Sequence, residues 1–471
     1  MMRIRGRVGR RKRVGIGAPD STLTRFAGIA AVSELADRLG MVATLDRHVG
    51  PFKVRERGVS AGEFLLGLGC AQLLGEDFLV GLDRLRADAA GRRLWPVELP
   101  ASTTANVLAR RLGPVQRAGI ETATGELADR WLGLLPAQRR ADLLICRPTI
   151  DLDSTEVEVY GRHKRGVAYN YQGQKAGRPH LASWAEAEIT LAAELLAGDE
   201  DVRPRAADLL RRALAGLPAA VCGMPRVRAD SGYFTGELAW AAVEAGCDFA
   251  IAAKRNPALW RAYAAVPADA WRPARDMPDG QVAVCGYAPD GWPAESYTII
   301  RRVRVDAADI SADPRSRRRR TIGKDQLTLA LGGELDQVWA VSFIVTNLPA
   351  SDDDIVAIEA WFRRRADIEE RIKEAKLGAA LRHLPSGDHD VNATWMHAAL
   401  LAGMISIMLQ SLTGLHTRFG RTAHAATLRH LLLHTPARVI SHARGLTLRL
   451  PPGRQLLPQV LARLRALPAP T

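Results

Sequence analysis

The chain has 471 residues, of which 47% are hydrophobic and 25% charged, and its formal net charge is +14. That length implies two to four modules around a sizeable core, and the balance of apolar and charged residues excludes a disordered or low-complexity chain. Five cysteines, at 70, 146, 222, 247 and 285, stand without CxxC spacing, which excludes a zinc ribbon or disulfide scaffold and suits a reducing cytoplasm.

The excess charge sits at the ends. The first fourteen residues, MMRIRGRVGRRKRV, hold seven bases and no acid, and residues 391–471 hold nine arginines and no Asp, Glu or Lys. Together these contribute +16, so residues 15–390 sum to about −2. Basic ends on a nearly neutral body point to a polyanionic partner, nucleic acid first. Residues 1–17 read as a disordered basic arm that can lie along phosphates, and with no apolar segment behind it the arm is not a secretory signal.

Residues 18–140 carry helical periodicity with short turns, and Ser21, Ser60 and Ser102 stand where N-caps are expected. Ser102-Thr103-Thr104 followed by Arg110 and Arg111 suits either a DNA-reading helix or plain helical packing. At Leu143 the texture changes. The run LLICRPTIDLDSTEVEVYG reads as a core strand, and strand-like pieces at 167–172 and 187–196 complete a three-stranded meander. A helix over 203–214, a strand ending at Asp230, a helix over 236–244, a strand from Cys247 and a short helix around Trp260 follow. Strands first and α/β alternation afterwards predict a compact α/β core over 141–265 and 337–385.

Residues 266–336 interrupt it with Pro, Gly and β-like pieces such as QVAVCGY, SYTIIRRVRV and DQLTLALGG, read as a β-rich insertion. The strand VWAVSFIVTN then leads back to the core. Trp271, Trp292 and Trp339 are expected to pack, and Arg315 to Arg320 read as a basic loop or a solvated turn. Residues 386–471 read as a basic helical region. Its most apolar stretch, from Met396, contains His397, Ser406, Gln410 and Ser411, so it is expected to be a buried helix and not a membrane span.

The stretch Ile355 to Lys376, IVAIEAWFRRRADIEERIKEAK, lacks Gly and Pro and predicts one continuous helix. Ile358, Trp361, Ile368, Ile372 and Ala375 form its buried stripe. Beside that stripe, Phe362, Arg365, Glu369, Ile372 and Lys376 share an edge. Asp151 and Asp153, two apart on a strand, point to one face, and Asp230 ends another strand in the Ser-Gly turn of VRADSGYF.

The spacing of an aromatic, two residues, Arg365, three residues, Glu369, six residues and Lys376 resembles the Tyr-x2-Arg-x3-Glu-x6-Lys signature of bacterial insertion-sequence transposases with an Asp-Asp-Glu site. Phe362 replaces the family's Tyr and so lacks its hydroxyl. Asp-Leu-Asp-Ser-Thr, Asp-Ser-Gly and the glutamate helix occur in the family's order, most like the 1380 branch of the insertion-sequence 4 supergroup. The resemblance implies a retroviral integrase-like, RNase H-like α/β core with a β-rich insertion and helical flanks, the helices of 18–140 binding DNA.

It implies Asp153, Asp230 and Glu369 as catalytic ligands of two Mg²⁺, with Mn²⁺ able to substitute and Asp151 as the alternative ligand. Such a pair of cations clamps the attacking and leaving oxygens of a phosphoryl displacement. Arg365 and Lys376 are expected to hold phosphates, or else to pair with nearby acids; Phe362, Lys373, Lys254, Arg318 and Arg319 are further candidate DNA contacts. The implied activity is hydrolytic cutting at transposon ends, then joining of the 3′-hydroxyl to target DNA by a homodimer on paired ends, in the nucleoid-associated cytoplasm. A metal-dependent endonuclease without strand transfer, or a non-catalytic DNA-binding derivative, keeps the same fold.

Overall fold

The computed structural model describes residues 15–468 except 54, 56, 315, 317, 351 and 416–421. Most of the basic arm, Arg315 and Arg317 therefore lie outside the described residues.

After a two-residue strand, β1 (Leu23–Thr24), come α1 (Ile29–Leu39), α2 (Met41–Val49), α3 (Ala61–Leu73), α4 (Gly81–Ala87), α5 (Ser102–Arg110), α6 (Pro114–Leu134) and α7 (Ala137–Ile145). Ser60 caps α3 as expected: its hydroxyl accepts from Glu63 N, and the Glu63 carboxylate accepts from Ser60 N. Ser102 is instead the first residue of α5 and bonds Asp83, while Ser21 stands well before the first helix.

The central strands are β2 (Thr149–Ser154), β3 (Val157–Glu158), β4 (Ala168–Tyr169), β5 (Lys175–Trp184) and β6 (Ile189–Ala197). Two corrections apply here. Leu143 to Ile145 end α7 and precede the strand, and the meander's middle strand is β5, with only Ala168–Tyr169 of the expected 167–172 piece extended. β5, KAGRPHLASW, carries Gly177 and Pro179, which read locally as breakers; bonding to β2 on one side and β6 on the other keeps it extended.

Next come α8 (Arg203–Ala215), β7 (Arg226–Ala229), α9 (Gly236–Glu244), β8 (Asp248–Ala252) and α10 (Pro257–Ala264). The order β6-β5-β2-β7-β8 is antiparallel among its first three strands and parallel from β2 through β7 to β8. The C-terminal ends of β2, β7 and β8 therefore share one edge, the usual place for a site in an α/β sheet.

The segment read as a β-rich insertion supplies strands that extend this sheet. β9 (Arg272–Pro273), β10 (Gly280–Cys285) and β11 (Tyr297–Asp306) follow β12 (Gln337–Thr346) in antiparallel order beyond β8. DQLTLALGG, read as β-like, is instead the helix α11 (Lys324–Leu331). The three tryptophans pack: the Arg302 guanidinium lies 3.8 Å from the Trp271 ring centre and 4.4 Å from that of Trp339 on β12, while Trp292 lies against Phe234.

The expected single helix is two, α12 (Asp352–Arg363) and α13 (Ala366–Gly378). Ile355 and Ile358 pack on a cluster with Val282, Ile299 and Ile344, whereas Ile368, Ile372 and Ala375 pack on the main core. One straight cylinder would have to serve both clusters; a break between them lets each half bury its own stripe.

The remaining elements are α14 (His389–Thr413), α15 (Ala425–Leu428), β13 (Ala437–His442), β14 (Gly445–Arg449) and α16 (Leu456–Arg465). The C-terminal region is thus not wholly helical, because β13 and β14 form a hairpin that takes β1 as a third strand. By length and composition α14 could cross a membrane, yet 78% of its most apolar window is buried in the protein. It packs on α3, α5, α6 and β6, so helices from both ends of the chain share one core.

Candidate active site

Asp153 and Asp230 stand at the shared carboxyl edge of β2 and β7. Asp153 is the fifth residue of β2, and Asp230 directly follows β7, its Oδ1 accepting from Gly232 N at 2.8 Å to set the Ser-Gly turn. Glu369 arrives from the first turn of α13 and is largely exposed. Burial pushes the Asp153 carboxyl up to about 6, with the Asp230 and Glu369 charges adding to the rise and Arg365 opposing it. The three acids named from sequence therefore share one electrostatic neighbourhood.

Arg365 sits among them. Its guanidinium is 3.3 Å from Asp153 and 3.9 Å from Glu369. The break in the expected helix matters here, because it puts Glu369 in the first turn of α13, at the positive end of a helix dipole. Glu359, the first glutamate of this stretch, is fully buried beneath Arg301 and Arg363 and belongs to the packing.

Asp151, the alternative ligand, is already engaged. It shares the face of Asp153 one rung deeper, is 1% exposed, and accepts from Arg228 Nε at 2.6 Å and Nη2 at 2.7 Å. Burial pushes its carboxyl up to about 6 while the Arg228 bonds pull it down. With both oxygens bonded to a guanidinium and the side chain almost fully buried, it is less open to a cation than Asp153.

The expected phosphate contacts divide. Lys376 Nζ donates to the Glu156 carbonyl at 2.7 Å, just past β2, and burial lowers its pKa. Lys373 pairs with Glu370 at 3.6 Å on the exposed side of α13, and Phe362 packs in part against the Ile355 cluster. Lys254 is exposed two residues past β8, on the same edge as Asp153 and Asp230. Arg318 and Arg319 belong to a short turn remote in sequence, where Arg319 donates to the Ala312 carbonyl.

Sequence reasoning missed Arg228 and Tyr233. Arg228 lies two residues before Asp230, as Asp151 lies two before Asp153, so alternation on both strands was the available signal. Tyr233 is 1% exposed and stacks on His180 at 5.6 Å. Its hydroxyl lies near Ser154 without a well-formed hydrogen bond, and burial, with Asp153 and Asp230 adding to it, drives its pKa far above the usual tyrosine range.

Among the described residues no group of three or more His, Cys, Asp or Glu side chains is arranged to hold a metal ion. The donor chemistry still fits a hard divalent cation. All three acids offer oxygen, and their mutual repulsion, opposed by one guanidinium, leaves the cluster short of positive charge.

The family described as Transposase DDE domain group 1 matches residues 7–469. No curated protein matches the chain. Among solved structures, the chain is similar to a piggyBac transposase in a synaptic complex with hairpin DNA, at 9% identity and a TM-score of 0.36, over 87% of this chain and 80% of that one.

Proposed function

The chain belongs to the family described as Transposase DDE domain group 1, and from that membership we propose that it is an insertion-sequence transposase with Asp153, Asp230 and Glu369 as its catalytic carboxylates. On this reading it cuts the ends of its element and joins the freed 3′-hydroxyl to target DNA, two copies bridging two ends in the cytoplasm. The strands β6-β5-β2-β7-β8, antiparallel and then parallel, are assigned to an RNase H-like core. The 1380 branch of the insertion-sequence 4 supergroup is the proposed place within the family.

The observation that carries the reading is the shared neighbourhood of the three acids around Arg365. Asp153, Asp230 and Glu369 would hold a pair of Mg²⁺, which supply a polarised phosphodiester and an activated water or 3′-hydroxyl when bound. Asp153, rooted in the buried strand, fixes the position of the cluster, and the surface-facing Glu369 completes it from the helix. Arg365 serves as the counter-ion of Asp153 and Glu369 until DNA arrives, then offers its planar fork to a phosphate flanking the cut. Lys254 stands on the same edge as an exposed point charge for the backbone.

The test uses the full chain, a supercoiled plasmid carrying the element's end, a target plasmid and Mg²⁺. Wild type nicks the end and yields joined product. Asp153→Asn, Asp230→Asn and Glu369→Gln abolish nicking while a gel shift shows that end binding survives; a variant of the three that still nicks removes that residue from the site. Nicking without any joined product favours an endonuclease.

A further inference from the structure

Two rungs of the sheet carry matching side chains. In the parallel ladder Asp151 lies opposite Arg228, and two residues on along each strand come Asp153 and Asp230. The deeper rung holds an ion pair and the outer rung two carboxylates. Each rung also meets the helix pair: Arg228 Nη1 donates to the Trp361 carbonyl in the last turn of α12, and four residues later Arg365 reaches Asp153.

We propose that Arg228 is a positioning residue that pins the end of α12, thereby setting the break before α13 and the placement of Arg365 and Glu369 over Asp153. This rests on the catalytic reading above. The Trp361 carbonyl accepts from Arg364 N at 3.2 Å, while Arg365 N turns back to Phe362 O at 2.9 Å, so the regular helical ladder is lost at the point where the guanidinium binds. A side chain bonded into the ladder is a recognised cause of such a break. The Trp361 ring is fixed as well, its Nε1 donating to Thr149 Oγ1 at 3.1 Å and the Arg226 guanidinium lying 4.5 Å from its centre.

The pair's own stability does not account for this arrangement. With both side chains about 3% exposed or less, desolvation offsets most of the attraction, and an apolar pair of similar volume would hold the strands as well. The third bond, to the Trp361 carbonyl, needs a fork able to serve a carboxylate and a carbonyl together. Lysine lacks that fork.

Limited trypsin digestion of the full chain reads the pinning directly, because Arg363, Arg364 and Arg365 all lie at the break. In Arg228→Lys, cleavage after these residues is expected to accelerate about tenfold relative to cleavage elsewhere, since local opening sets local proteolysis. The Mg²⁺ concentration for half-maximal nicking is expected to rise about tenfold, the usual scale for losing a group that orients ligands. A merely structural role would instead raise cleavage at all sites and leave the Mg²⁺ requirement of the folded fraction unchanged.

If Arg228→Lys does not fold, the paired replacement Asp151→Leu with Arg228→Met carries the test, expected to melt near wild type yet show the same local cleavage. Unchanged trypsin patterns in the folded variants overturn the proposal, whatever the activity. Asp153→Asn separates the two readings: it should abolish nicking with a wild-type trypsin pattern, and full nicking there would sink the catalytic assignment while the digestion still decides the role of Arg228.

Discussion

Arg365 stands 3.3 Å from Asp153 and bridges towards Glu369 at 3.9 Å, a cation lodged between a strand carboxylate and a helix carboxylate. It offsets their repulsion in the free protein, and it competes with any ion that would take its place. Removing it should therefore act with opposite signs on two measurements. Arg365→Gln is expected to bind Mn²⁺ severalfold more tightly without DNA, and to nick end DNA about a hundredfold more slowly, as for other lost transition-state donors. Mn²⁺ titration by electron paramagnetic resonance, beside a nicking assay, checks both; a fall in both together would mean that Arg365 is only a structural partner.

Metal binding should depend on pH through Asp153. Its carboxyl is pushed up to about 6 in the free protein, and a cation takes only the ionised form. Above pH 6 the group is charged and costs nothing further; below it each binding event must expel a proton. The apparent Mn²⁺ affinity is thus expected to fall about tenfold per pH unit below 6 and to level off above 7. A flat profile between pH 5 and 7 would count against Asp153 as a ligand.

His397 gives the fold an acid weakness. It is 4% exposed on α14, and burial holds its pKa down at about 3, with Arg117 and Arg212 adding to the depression. The unfolded chain takes up a proton near 6.5 and the native chain does not, so stability falls as pH drops below 6.5. At pH 5.5 the loss from this group is about 1.4 kcal/mol. Urea midpoints at pH 7.5 and 5.5 should show His397→Met losing less between the two pH values than wild type, by that amount.

The docking of the two ends of the chain is tight at Gly28. A Cβ there would meet the Leu432 carbonyl oxygen at 2.1 Å and Leu433 Cα at 2.5 Å, both main chain. Gly28→Ala must force α1 away from the 429–433 turn, and is expected to cost about 1–3 kcal/mol, the range for an overpacked core. Thermal melting checks this, and Gly133→Ala, an exposed position of α6 with nothing within 4 Å of the added carbon, serves as the control, expected to stabilise by about 0.5–1 kcal/mol through helix propensity alone.

The buried ion pair predicts a third stability pattern. Asp151→Asn leaves Arg228 charged and badly partnered in the core, and is expected to cost about 3–5 kcal/mol. Replacing both residues with Leu and Met should restore most of that loss. Denaturant unfolding of the single and double variants closes the cycle; two equal losses that simply add would mean that the side chains do not interact.

Much of this molecule was legible in one dimension, where the physics is local. Alternation and apolar runs set the core strands β2, β7, β8, β10, β11 and β12, and helical periodicity with Ser60 at its cap set α3, because these depend on residues within one or two turns of each other. The order of Asp153, Asp230 and Glu369 was likewise readable, since spacing along the chain is all that a resemblance requires. Where neighbours remote in sequence decided, local reading failed: β5 stays a strand through Gly177 and Pro179 because β2 and β6 flank it, and β13 and β14 pair with β1 from the other end of the chain. The helix over 355–376 shows the division most plainly. Its propensity and its buried stripe were right, but two separate apolar clusters and one buried guanidinium break it, and only packing in three dimensions brings those forces to bear on Trp361 and Arg365. The same packing separates Asp151, held by Arg228, from Asp153, left facing Arg365 and Glu369, two acids that strand alternation alone leaves equivalent.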